Sequence, residues 1–131
     1  MAEYEADATC TAPAREVWKL LYDPVRFASW WPGWERVEPA GAGSVVRYDD
    51  RWPDFAYPTT VAADPSEGRI VVSCALSDIE HTWRIDPADV GCRVGVRVAI
   101  PDAEVARTDD VLSTMRTALA ALVARAESRV P

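Results

Sequence analysis

The 131-residue chain contains no asparagine and no glutamine, and Lys19 is its only lysine beside thirteen arginines. Polar contacts inside a pocket must therefore come from hydroxyls, carboxylates, arginine, thiols, the backbone or His81, the single histidine. The bias is of the kind a high-GC bacterial genome produces. Three cysteines, Cys10, Cys74 and Cys92, form no Cys-x-x-Cys pair; an odd, dispersed set argues against a disulfide framework or a zinc knuckle and for reduced thiols. Basic charge is scarce. With 14 basic against 21 acidic residues the net charge is -7 and no basic cluster offsets it, so phosphates and anionic lipid are repelled and nucleic acid is not an expected partner. No run approaches the ~18 apolar residues of a membrane span, and "MAEYEADATC" places acids where a secretion signal needs a basic stretch and an apolar core. A cytoplasmic protein without stable membrane insertion is expected, as a monomer or a homodimer.

Several chemical signatures are missing as well. "GAGSVV" mimics part of a glycine-rich nucleotide loop, but it lies between two expected strands, where no helix N-terminus can receive a pyrophosphate. One histidine among scattered carboxylates gives no metal site. There is no Gly-x-Ser-x-Gly, and Lys19 falls on a helix, so neither an acyl-enzyme nor a Schiff base is supported. No cofactor is expected.

Against these absences stands "FASWWPGWERVE", with Trp30, Trp31 and Trp34 inside five positions. Each indole buries about 150–250 Å², so three in water would expose roughly 450 Å² or more, near the limit for a soluble monomer. They must be core or the wall of a binding site.

The length suits one domain over residues 1–131, large enough to enclose a core and a cavity within it. Residues 3 to 10 alternate Glu3, Glu5, Asp7, Thr9 with Tyr4, Ala6, Ala8, Cys10, the period of a strand with one wet face. Pro13 then opens a short helix in which Val17, Leu20 and Leu21 share a face. Asp23 and Pro24 supply an N-cap and a first turn for a second helix, which presents Phe27, Trp30 and Trp31 together and stops at Pro32-Gly33. Six short strands follow, separated by turn signals, and imply an antiparallel meander. From about Ala103 to Arg129 the period is helical, with Leu112, Met115, Leu119, Leu122 and Ala126 in one stripe. Asp109 and Asp110 near its start and Arg125 and Arg129 near its end suit the helix dipole, and at 1.5 Å per residue the rod is roughly 35–40 Å long. The expected class is α+β: a curved seven-stranded antiparallel sheet, two short helices after strand 1, and a long C-terminal helix across the concave face.

This order, with "TAPAREVWKLLYDPVRFASWWPGW" at its start, resembles the helix-grip superfamily, which includes the polyketide cyclase/dehydrase and lipid-transport proteins, the START lipid-transfer domains and the birch pollen allergen fold. The likeness lies in the Ala-Pro after the first strand, the Val-Trp of the first helix, the Asp-Pro before the second and the Trp-Trp-Pro closing it; elsewhere it rests on element order. A cyclase fold of the nuclear-transport-factor-2 type opens with long helices and fits less well. The resemblance implies an internal cavity for a small hydrophobic or aromatic molecule, a polyketide, lipid or isoprenoid. One fold hosts many activities, and the superfamily ranges from aromatase/cyclases to plain carriers.

Alternation puts His81 on the inner face with Trp83 and Ile85. There it can shuttle a proton in an aldol or dehydration step, or serve as a hydrogen-bonded core imidazole. "YDDRWPDFAY" brings Tyr48 and Tyr57 beside Trp52 and Phe55, either as a lid that orients a ligand or as a hairpin loop packed on the sheet. Trp31, Trp83, Met115 and Leu119 are core residues that become ligand wall wherever space is left open. Ala6 and Ala8 face that space or allow close backbone packing. Two functions therefore follow: a ligand-binding protein in which His81 can add cyclase/dehydratase chemistry, or a non-catalytic stress or interaction module with a filled core.

Overall fold

The structure is a computed structural model and describes residues 1–129; the last two residues of the unit expected over 1–131 lie outside it. The chain runs β1 (Ala2–Cys10), α1 (Ala14–Leu21), a 3₁₀ helix (Pro24–Ser29), then β2 (Trp34–Pro39), β3 (Ser44–Asp49) and β4 (Ala56–Asp64). After a short 3₁₀ turn come β5 (Arg69–Cys74), β6 (Glu80–Pro87) and β7 (Cys92–Ile100), a 3₁₀ helix (Asp102–Arg107) and α2 (Thr108–Ser128). The sheet order is β1-β7-β6-β5-β4-β3-β2, every pair antiparallel. This is the helix-grip arrangement the element order implies.

Strand pairing fixes which side chains face α2. Val72 lies opposite His81, and Ile70 opposite Trp83; His81 in turn pairs with Val98 and Trp83 with Val96. Directly paired residues share a face, so these form continuous inner rows. On β3 the same rule sends Val45, Arg47 and Asp49 inward, with Arg47 opposite Tyr57 and Val45 opposite Thr59.

The second helix differs from the α-helix expected. Only six residues fit between Asp23 and the Trp30-Trp31-Pro32-Gly33 stop, and they form a 3₁₀ turn, whose three-residue pitch suits short pieces. Its N-cap is as anticipated: Val25 N donates to Asp23 Oδ1 at 3.2 Å. Trp30 Nε1 donates to Leu20 O at 3.1 Å and so ties this turn to α1. Gly33, at φ +88°, then reverses the chain into β2. The C-terminal helix is also shorter than expected, since Asp102–Arg107 winds as 3₁₀ and only Thr108–Ser128 is α.

The core divides the space under α2 unequally. α2 packs on β1, β7 and α1, where Met115, Ala118, Leu122, Ala126, Val94 and Val98 are all buried. Close packing, rather than a void, is what Ala6 and Ala8 permit; both pack against this core. Beside it, Phe27, Trp30, Trp31, Trp34 and Trp83 form a ring cluster with centroids 4.8–5.6 Å apart. Offset and edge-on contacts of this kind add about 0.5–1.5 kcal/mol per pair beyond area burial.

Candidate functional site: an aromatic-walled cleft

A cleft of about 620 Å³ opens between the β2–β6 part of the inner face and the start of α2 with its preceding 3₁₀ turn. Trp31 and Trp34, stacked at 4.8 Å and 23°, form one wall. Arg47, Tyr57, Thr59, Val72, Cys74 and His81 form the sheet side, and Arg107, Asp110, Val111 and Thr114 face them from the helical side. Trp52 stands at the mouth, 59% exposed. The size is within the several hundred cubic ångströms of small-molecule sites.

His81 meets the Trp31 ring edge-on at 5.1 Å. Burial, and then the positive charge of Arg47, push its pKa down to about 4, so at neutral pH it is an uncharged imidazole. Arg47 itself is held by ring faces, its guanidinium carbon 4.6 Å from the Tyr57 centroid and 5.1 Å from that of Trp34. Its contact with Asp49 is long, Nη2 to Oδ2 3.9 Å, and its buried Nε has no hydrogen-bond acceptor among the described residues. Burial raises the Cys74 thiol, but hydrogen bonds from Ser77 and from the Leu76 backbone, with the Arg47 charge, outweigh it and leave the thiol below its ordinary value. Among the described residues no three His, Cys, Asp or Glu side chains are grouped to hold a metal.

Of the residues singled out from the sequence, Trp31, Trp52, Tyr57 and His81 come together on the cleft. The others do not. Tyr48 is corrected to the opposite face: its neighbours Arg47 and Asp49 point inward, so period-two alternation sends its ring outward, where Arg36 covers it at 3.9 Å and its hydroxyl lies 3.5 Å from Glu38. Phe55 packs on Tyr57 at 4.7 Å but stays half exposed outside the cleft. The 51–55 loop therefore edges the opening and does not cover it. Trp83, behind Trp31 in the ring cluster, and Met115 and Leu119, on α2, are buried in the core and do not line the cleft. Arg47 and Cys74, which line the cleft, were not singled out. The signal for both was strand alternation, since Arg47 follows buried Val45 by two residues and Cys74 follows buried Val72 by two.

A sheet gripping a long helix, with an aromatic cleft opening beside the packed core, defines a helix-grip protein. The chain belongs to the polyketide cyclase / dehydrase and lipid transport family, which matches it over residues 1–127. Among solved structures it is similar to the aromatase/cyclase ZhuI from Streptomyces sp. R1128, with 21% identity, a TM-score of 0.79, and 99% of this chain and 96% of that one covered. It is likewise similar to BexL, a di-domain aromatase/cyclase of the BE-7585A biosynthetic pathway, at 22% identity and TM-score 0.81. That match covers 97% of this chain but 47% of BexL, so the chain spans about half of the di-domain protein. A Thermobifida fusca protein solved in solution gives a TM-score of 0.77 at 19% identity, covering 96% of this chain and 93% of that one. At these identities the likeness is one of fold. No curated protein matches the chain. No helix among the described residues is long and apolar enough to cross a membrane.

Proposed function

We propose that the cleft binds a polyketide or a similarly flat, largely apolar metabolite. The observation that carries this reading is the pairing of the stacked Trp31 and Trp34 wall with an open space of about 620 Å³ in a member of this family. Burial of apolar ligand surface at about 25 cal/mol per Å² supplies the affinity, and a few polar groups, Tyr57, Thr59 and His81, orient the ligand. An open cleft argues against the alternative of an interaction module with a filled core.

Cyclase or dehydratase chemistry is the second reading, favoured by His81 facing the cleft beside Trp31. A neutral imidazole with a pKa of about 4 can accept a hydrogen bond or take up an acidic C–H proton, but it is a weak base at neutral pH. Binding is therefore the primary reading and proton transfer the secondary one.

A dihydroxyanthraquinone is a suitable probe because it is flat, three rings wide and uncharged. It should raise the melting temperature, and Trp31→Ala should weaken its binding roughly 10-fold or more. Binding that is unchanged by loss of the Trp31 ring, or no binding at all, would remove the cleft as the ligand site.

A further inference from the structure

Two buried donors among the described residues lack an acceptor, Trp83 Nε1 and Arg47 Nε, and only Arg47 carries charge. A guanidinium carries five N–H donors in a planar fork, yet no acceptor among the described residues satisfies its buried Nε. Its carboxylate contact is 3.9 Å long. The rings of Trp34 and Tyr57 attract the cation through their faces but leave the planar edge of the fork without partners. The side chain is 23% exposed, so water reaches part of the fork, but the Nε donor is buried; a charged donor without an acceptor costs more than a neutral one, so an occupant that supplies an acceptor there is favoured.

The acids lining the cleft do not fill this role. Glu104 pairs with Arg107 at 3.3 Å, and Asp49 Oδ1 accepts from the Arg51 amide at 2.8 Å. Asp50 and Asp110 also line the cleft, and neither forms an ion pair with Arg47. The imidazole of His81, on the same sheet wall, is neutral at pH 7 and offers no charge. Among the cleft arginines Arg47 is set apart by its buried, unpartnered Nε: Arg107 is paired with Glu104, and Arg51, which also lines the cleft, is exposed to water at the rim.

We propose that the cleft selects an organic anion, a flat aromatic or conjugated molecule whose carboxylate or enolate oxygens take the hydrogen bonds the Arg47 guanidinium lacks while its rings lie against Trp31 and Tyr57. The proposal rests on the cleft being the ligand site and adds the charge and the direction of the ligand. A carboxylate matches the guanidinium fork with two parallel hydrogen bonds, which a neutral carbonyl cannot do. The anionic end faces Arg47 and the apolar end points toward Trp52 at the mouth.

β-Naphthoate and β-naphthamide test this, because they share a ring system and differ in the charge of one group. Calorimetric titration should show the wild-type protein binding naphthoate at least about 10-fold more tightly than naphthamide. Arg47→Met should abolish that preference, bringing the affinity for naphthoate down to that for naphthamide. Asp49→Asn removes the competing carboxylate and should tighten naphthoate several-fold and widen its preference over naphthamide, a gain that misfolding cannot mimic. Equal affinity of the wild-type protein for the two probes, or a preference that survives Arg47→Met, overturns anion selection while leaving the cleft as a ligand site. Failure of both probes to bind overturns the two readings together.

Discussion

His81 carries a charge state that its surroundings impose. Its folded pKa, about 4, lies below the ordinary 6.5 because burial and then the Arg47 charge disfavour the imidazolium. The unfolded chain therefore takes up a proton that the folded chain refuses. Stability is complete above about pH 6.5 and declines as the pH falls toward 4. Between about pH 7 and about pH 4.5 this one group should remove roughly 2 kcal/mol. Urea unfolding across that range should show His81→Phe losing that much less stability than wild type; parallel curves would contradict the assigned pKa. Other acid-sensitive groups, such as Glu16 and Glu127 with their lowered carboxyl values, act in both proteins and cancel in the difference. Residue-level placement was partly legible in the sequence. Alternation placed His81, Trp83 and Ile85 on the inner face, where they stand. The same rule applied to β3 places Arg47 inward and Tyr48 outward, but ring character drew attention to Tyr48 and charge drew it away from Arg47. Side-chain chemistry is a weaker guide than parity along a strand.

At the scale of elements, turns hold the design. Gly91 sits at φ +70° in the β6–β7 connection, and a methyl group on it would overlap the Cys10 carbonyl. Gly91→Ala combines left-handed strain with a backbone collision, so it should cost roughly 2–4 kcal/mol. Gly95→Ala, within β7, meets nothing closer than 3.9 Å and should leave the melting temperature nearly unchanged. Comparable losses for the two would show that the connection yields more than its geometry implies. Element types and order followed from period and punctuation, and all seven strands form. The form of the second helix did not follow, because a capping pair marks where a helix starts whereas the distance to the next stop decides between α and 3₁₀. The 3₁₀ lead into α2 was hidden for a related reason: Asp102–Arg107 contains good helix formers, and only Pro101 before it signals a separate start.

Across the whole molecule, stability and recognition occupy different ground. The half of α2 against β1 and β7 is packed, and Met115 there does not line the cleft, whereas Trp31 and His81 do. Met115→Ala should therefore cost about 2–5 kcal/mol of unfolding free energy and leave anthraquinone affinity within about twofold. A large change in affinity would mean that the packed half and the cleft are one space. The sequence indicated a helix over a curved sheet but not where the hollow lies. That location depends on how the 3₁₀ turn carrying Trp31, the far strands of the sheet and the start of α2 come to line one space, a three-body property that no single strand or helix pattern records.

The indole cluster has one more consequence. Each of Trp30, Trp31, Trp34 and Trp83 lies within about one ring's width of another, so their electronic transitions couple and the far-ultraviolet circular dichroism of the protein should carry an exciton signature. Because Trp31 and Trp34 belong both to that coupled set and to the cleft wall, a chromophore entering the cleft perturbs the signature directly. The protein thus contains its own optical reporter of occupancy and needs no attached dye.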